Sequence, residues 1–121
     1  MKNEYGITLE KNGYAPSVVD YYGTVIDRCY ACDWRGDLVR HEIFNGSNRQ
    51  KSKALGLWVL LCPRCHMDVH DHPDKWKWLK VTAQRHAMAH YGWTIEEFRE
   101  RFGKNYVEIW EQEDQRIRFD A

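Results

Sequence analysis

Residues 57–70 read LWVLLCPRCHMDVH: an apolar run that passes without a break into a Cys-x-x-Cys turn and then into two histidines four residues apart. The run 57–61 does not alternate between apolar and polar positions, which predicts a short strand covered on both faces. Pro63 then falls where a helix begins and a missing N–H is no loss, so 64–72 reads as two or three helical turns. On that helix His66 and His70 stack on one face, and both imidazoles can reach the same cation. Strand, cysteine turn and helix thus follow one another with no room for a linker.

Working outward, the cysteine turn has a counterpart. CYAC supplies Cys29 and Cys32, and CPRC supplies Cys62 and Cys65. Each Cys-x-x-Cys turn can present two thiolates to one tetrahedral zinc, and two turns complete a four-thiolate site. A redox dithiol, or two unrelated pairs in a core, does not explain why the motif occurs twice. The 29 residues between Cys32 and Cys62 exceed the spacing of a compact zinc ribbon. The zinc is therefore expected to clasp the ends of an inserted substructure, spanning 29–70 with its helix. Such a site supplies on the order of 10 kcal/mol of apparent folding free energy, comparable to the whole stability of a small domain.

Composition sets the limits. At 121 residues the chain fits one domain, and its 18 Lys+Arg balance 18 Asp+Glu. A nucleic-acid partner must then be met by a local patch rather than by net charge. No segment approaches the roughly 18 to 20 consecutive apolar residues of a membrane span, and the start MKNEYGITLEKNG lacks an apolar signal-peptide core. The expectation is a cytoplasmic protein with no membrane partner, where cysteines serve metals more often than disulfides.

Residues 1–28 show no helical period and read as irregular structure with one or two short strands, around SVVDYY and TVID. LVRHEI, 38–43, reads as a strand stopped by Asn45-Gly46, and GSNRQKSKALG as a polar basic loop. Beyond Pro73, Trp76, Leu79, Ala83, Ala87 and Tyr91 form the stripe of a helix ended by Gly92. Thr94 with Glu97 makes a capping box, Trp93 and Phe98 hold staple positions, and Gly103 closes the next helix. The C-terminal helices are expected over 74–110, through Ile109 and Trp110.

The strand ahead of the basic loop carries His41, so three histidines, His41, His66 and His70, can converge. His86 and His90 also stand four apart, but they flank an apolar stripe without acidic or thiol partners and read as packing or surface residues. Arg40, Asn48, Arg49, Lys51 and Lys53 lie within 14 residues of one another around the proposed cation, a candidate phosphate-contacting patch. Arg49 is its first choice, since a guanidinium can hold a phosphate by two hydrogen bonds.

Paired Cys-x-x-Cys knuckles, a strand carrying the dyad His41-Glu42, a polar loop and a strand running into LCxxCHxxxH resemble the HNH endonucleases over residues 29–70. RHEIFNGSNRQKSKALGLWVLLCPRCH with the later FGKNY is similar to small HNH-like proteins of phages and prophages, a likeness reaching about residue 107. The resemblance implies an α+β fold: a zinc-stabilised ββα-metal (His-Me finger) core with additional C-terminal helices. It implies a DNA endonuclease or nickase in which His41, His66 and His70 hold a catalytic divalent cation such as Mg²⁺, Mn²⁺, Ni²⁺ or Zn²⁺. Glu42 occupies the position where the family usually has its water-activating histidine. The Asn that commonly orients that histidine is replaced by an apolar residue near Leu57. In a second register His41 is the base, and the cation keeps His66, His70 and water. Glutamate near its ordinary pKa of ~4.3 is a weak base at neutral pH, although burial can raise it.

Overall fold

Two of the strand expectations become a single antiparallel ladder. In the computed structural model, which describes residues 1–20 and 27–107, β1 (Val39–Glu42) pairs with β2 (Trp58–Leu61). The register sets His41 opposite Val59 and Glu42 opposite Trp58. Among the described residues, four α-helices accompany this two-stranded sheet: α1 (Arg49–Ala54), α2 (Pro63–Asp71), α3 (Lys77–Tyr91) and α4 (Ile95–Phe102). The result is a small α+β domain, and none of its described helices is long and apolar enough to cross a membrane.

β2 is the centre of the core. Leu57, Trp58, Val59 and Leu61 are buried. The N-terminal segment covers its edge: Trp58 Nε1 donates to the Ala15 carbonyl at 2.7 Å, and Ser17 Oγ donates to the Trp58 carbonyl at 2.7 Å. Residues 17–20 are not a strand. The Ser17 hydroxyl also accepts from the Val19 and Asp20 amides, which folds the backbone into a turn. Among the described N-terminal residues only an isolated bridge, Lys2 to Thr8, has strand pairing, and most of TVID lies outside the described residues.

The segment read as a polar loop is instead a 3-10 turn, Gly46–Asn48, followed by α1. It has no apolar stripe because its anchor is a polar side chain. Ser52 is fully buried, its hydroxyl donating to the Leu57 carbonyl at 2.6 Å and accepting from the Phe44 amide at 3.2 Å.

The C-terminal helices follow the expected signals. Thr94 and Glu97 exchange both capping-box hydrogen bonds, Trp93 lies 6.4 Å from Phe98, and Gly92 and Gly103 are left-handed caps. The stripe of α3 proves wider than expected, because Val81 and Gln84 are buried as well. Gln84 Nε2 donates to Asn105 Oδ1 at 2.7 Å, and its Oε1 accepts the Tyr106 amide at 2.8 Å. That pairing fastens FGKNY to α3. It also fixes Tyr106 against Phe44, whose ring packs 4.9 Å from Phe102 and 5.5 Å from Phe98. The expected helical continuation through Ile109 and Trp110 lies outside the described residues.

Candidate functional site

The two knuckles meet. The sulfurs of Cys29, Cys32, Cys62 and Cys65 all lie within 4.8 Å of one another, and Cys32 and Cys62 are 3.8 Å apart. Zinc–sulfur bonds of about 2.3 Å in a tetrahedron require sulfurs about 3.8 Å apart, so the cluster is dimensioned to hold a zinc ion. Cys62 is the N-cap of α2, and its Sγ accepts from the Cys65 amide at 3.4 Å. That donor lowers the Cys62 thiol to about 7, while burial pushes Cys65 up. Four adjacent thiolates repel one another, and a divalent cation is what makes full deprotonation favourable. The first knuckle is tied to the sheet as well, by the Tyr30 amide donating to the Leu60 carbonyl at 2.9 Å.

The three predicted histidines also meet, at a second point. Their ligand atoms lie within 4.8 Å of one another; His66 Nε2 and His70 Nε2 are 3.2 Å apart, and the His41 ring lies 5.6 Å and 5.5 Å from theirs. The local reasons are geometric. His66 and His70 share a face of α2, whose start is pinned by Cys62 and Cys65, and His41 projects from β1 towards that helix. Burial, followed by the neighbouring His66 and His70, lowers His41 to about 4. His66 is lowered by burial and by His70. Neutral imidazoles whose nitrogens crowd together are the form that binds a metal cation.

Glu42 faces the other way. Alternation along β1 sets it with Arg40 on the side covered by the N-terminal segment, and it reaches the histidines only from the strand's end. One oxygen accepts from Tyr14 at 2.8 Å, and the other from Arg49 Nε at 2.6 Å. Burial pushes its carboxyl up, but the hydrogen bonds from Arg49 and Tyr14 outweigh burial and hold it below the ordinary glutamate value. The rise that burial alone can bring does not occur, because the burial comes with two donors.

The basic patch divides. Arg49 stays exposed beside the site, on an open cleft of about 360 Å³ lined also by Tyr14, Arg40, His41, Glu42, Asn45, His66 and His70. Arg40 stacks 4.2 Å from the Tyr14 ring and 4.7 Å from that of Trp58, and pairs with Glu10 at 3.0 Å. Lys53 Nζ lies 4.7 Å from the centroid of the same Tyr14 ring. Asn48 and Lys51 point elsewhere: Asn48 Nδ2 donates to the Phe102 carbonyl at 3.1 Å and Lys51 Nζ to the Arg101 carbonyl at 2.6 Å, capping the end of α4. Of the five, Arg49 is the side chain best disposed towards a ligand at the histidines, and Asn48 and Lys51 are fasteners between α1 and α4.

Sequence reasoning missed Tyr14 and Asn45. Tyr14 comes from an aperiodic segment 28 residues before its partner, and no local signal reveals such a pairing. Asn45 announced only a turn, although it lines the cleft beside His41. Comparison of the chain with models of protein families, with curated proteins and with solved structures finds no match.

Proposed function

We propose that this chain is a metal-dependent DNA endonuclease or nicking enzyme of the HNH type, of phage or prophage origin, with a structural zinc on its four cysteines. The observation carrying this reading is the convergence of His41, His66 and His70, apart from the cysteine cluster, on a cleft that also presents Arg49. A divalent cation held by these imidazoles would stabilise charge on a phosphodiester and on its leaving oxygen. The chain's own groups do the rest. His41 stays unprotonated at neutral pH and keeps its lone pair for binding. Arg49 exchanges Glu42 for a phosphate oxygen, using the fork geometry of its guanidinium. Glu42, thereby released, accepts the proton of the attacking water, a role typically contributing about 10² to 10⁴-fold.

A second reading has its own support. Both Glu42 oxygens are engaged by Arg49 and Tyr14, an arrangement that suits a non-catalytic zinc module binding DNA or a protein. Supercoiled plasmid incubated with Mg²⁺, Mn²⁺ or Ni²⁺ distinguishes the two. The nuclease reading expects nicked or linear product, its loss in His66→Ala, and a rate lowered by about 10²-fold or more in Glu42→Ala. Binding without cleavage under every cation favours the second.

A further inference from the structure

His41, Asn45 and His70 line two spaces. One is the open cleft that contains Arg49; the other is a smaller cavity of about 140 Å³, lined additionally by Lys77 and Lys80 of α3, with Asp74 also among its lining residues. Lys77 and Lys80 stand three residues apart and so share a helical face. Lys80 is half-buried, and its charge is near enough to His41 to depress that imidazole further. Among the described residues its contact is the ring of Tyr106, 5.6 Å away, and no carboxylate pairs with it; Lys104, the other charge it feels, is also positive. An ammonium drawn out of water without an anionic partner is costly unless a ligand supplies the charge.

We propose that Lys80 is the centre of a phosphate-binding subsite in this cavity, taking a backbone phosphate of the strand whose neighbouring phosphate is met by Arg49. The proposal rests on the nucleic-acid reading of the histidine centre for its ligand, and on the cavity and the unpaired ammonium for its place. The shared wall of His41, Asn45 and His70 makes the two anion contacts flank one reacting position. Burial lowers the Lys80 pKa, and a phosphate beside it favours the charged form again. Lys77, at the first turn of the same helix, adds a second cation to the cavity.

The test reads binding without cleavage, on the full-length zinc-loaded protein in Ca²⁺. Fluorescence anisotropy with a short DNA duplex is measured at several salt concentrations for the parent, Lys80→Met, Lys80→Arg and Lys2→Gln, a lysine outside both spaces. Lys80→Met is expected to weaken binding by about 3- to 10-fold and to reduce the slope of log K against log salt by about one, the signature of one lost phosphate contact. Lys80→Arg and Lys2→Gln keep the parental slope. Amide chemical shifts of α3 are followed in parallel with inorganic phosphate and with the duplex. Movement around Lys80 with DNA alone supports a backbone phosphate as the source, and movement with inorganic phosphate supports the same subsite filled by a free anion. An unchanged salt slope in a folded Lys80→Met, together with no α3 shifts from either ligand, overturns the proposal. Absence of cleavage under any cation counts against the nuclease reading alone, so the two failures are distinguishable.

Discussion

Because successive residues of a strand face opposite sides, His41 and Glu42 meet different surroundings and titrate by different rules. His41 lies among imidazoles and apolar atoms, and is lowered from an ordinary 6.5 to about 4 by burial and by His66 and His70. The unfolded chain therefore binds this proton first as pH falls. The contribution to stability is full above about pH 6.5, declines below it, and is gone below about pH 4, a loss of about 2 kcal/mol between pH 7 and pH 5. Denaturant melts of metal-free-histidine-site protein at those two pH values should show it, and His41→Gln should show a smaller difference. Glu42 shifts in the same direction for a different reason: Arg49 and Tyr14 stabilise its charged form, so its contribution too is lost as pH falls. Tyr14→Phe should raise the Glu42 pKa, followed by carboxyl carbon shifts in an NMR titration, and should cost about 1 kcal/mol. An unmoved titration would show the Tyr14 bond to be energetically idle. Of these residues the three histidines were legible, because spacing and a neighbouring knuckle marked them. Tyr14 was not, since a hydrogen bond across 28 residues leaves no trace in local periodicity.

At the scale of elements, the parts written in hydrophobic period or cap chemistry were legible: β2, α2, α3 and α4 all fall within a residue or two of their signals. Helix α1 was not, because six residues, RQKSKA, with a single buried serine carry no stripe, and only tertiary hydrogen bonds distinguish them from a basic loop. Its exit illustrates how little local signal such an element needs. Gly56 follows the helix with φ +75°, and a Cβ there would sit 2.2 Å from the Pro16 carbonyl oxygen. Both the left-handed backbone and the approach of the N-terminal segment require glycine. Gly56→Ala should therefore cost about 2 to 4 kcal/mol and lower the thermal midpoint measurably, whereas alanine at Gly46, also left-handed but in open space, should cost only about 1 kcal/mol. Equal losses at the two positions would mean that the N-terminal segment can withdraw from Gly56.

At the scale of the molecule, one helix start serves two clusters of different character, each of which could hold a metal ion. Cys62 and Cys65 begin α2, and His66 follows immediately. Four thiolates form a closed site that suits zinc, whereas three imidazoles would leave coordination positions of a bound cation open to solvent. The coupling between them should be one-directional. His66→Ala removes a half-buried imidazole from α2 and leaves the helix's N-terminal anchor intact, so that protein should retain one tightly held zinc and a cooperative melt. Cys62→Ser, or a strong chelator, removes the N-cap sulfur and the clasp on the inserted sheet together. With on the order of 10 kcal/mol of zinc binding free energy lost, against the 5 to 15 kcal/mol typical of a domain's total stability, much of the fold should open. Metal analysis by mass spectrometry and circular dichroism on the same samples test this. The expected pattern is zinc retained with helicity in His66→Ala, and zinc and helicity lost together in Cys62→Ser. Full helicity in zinc-free Cys62→Ser would show that the core of β2, α3 and α4 stands without its clasp, and that the cysteines serve to aim the histidines rather than to hold the fold.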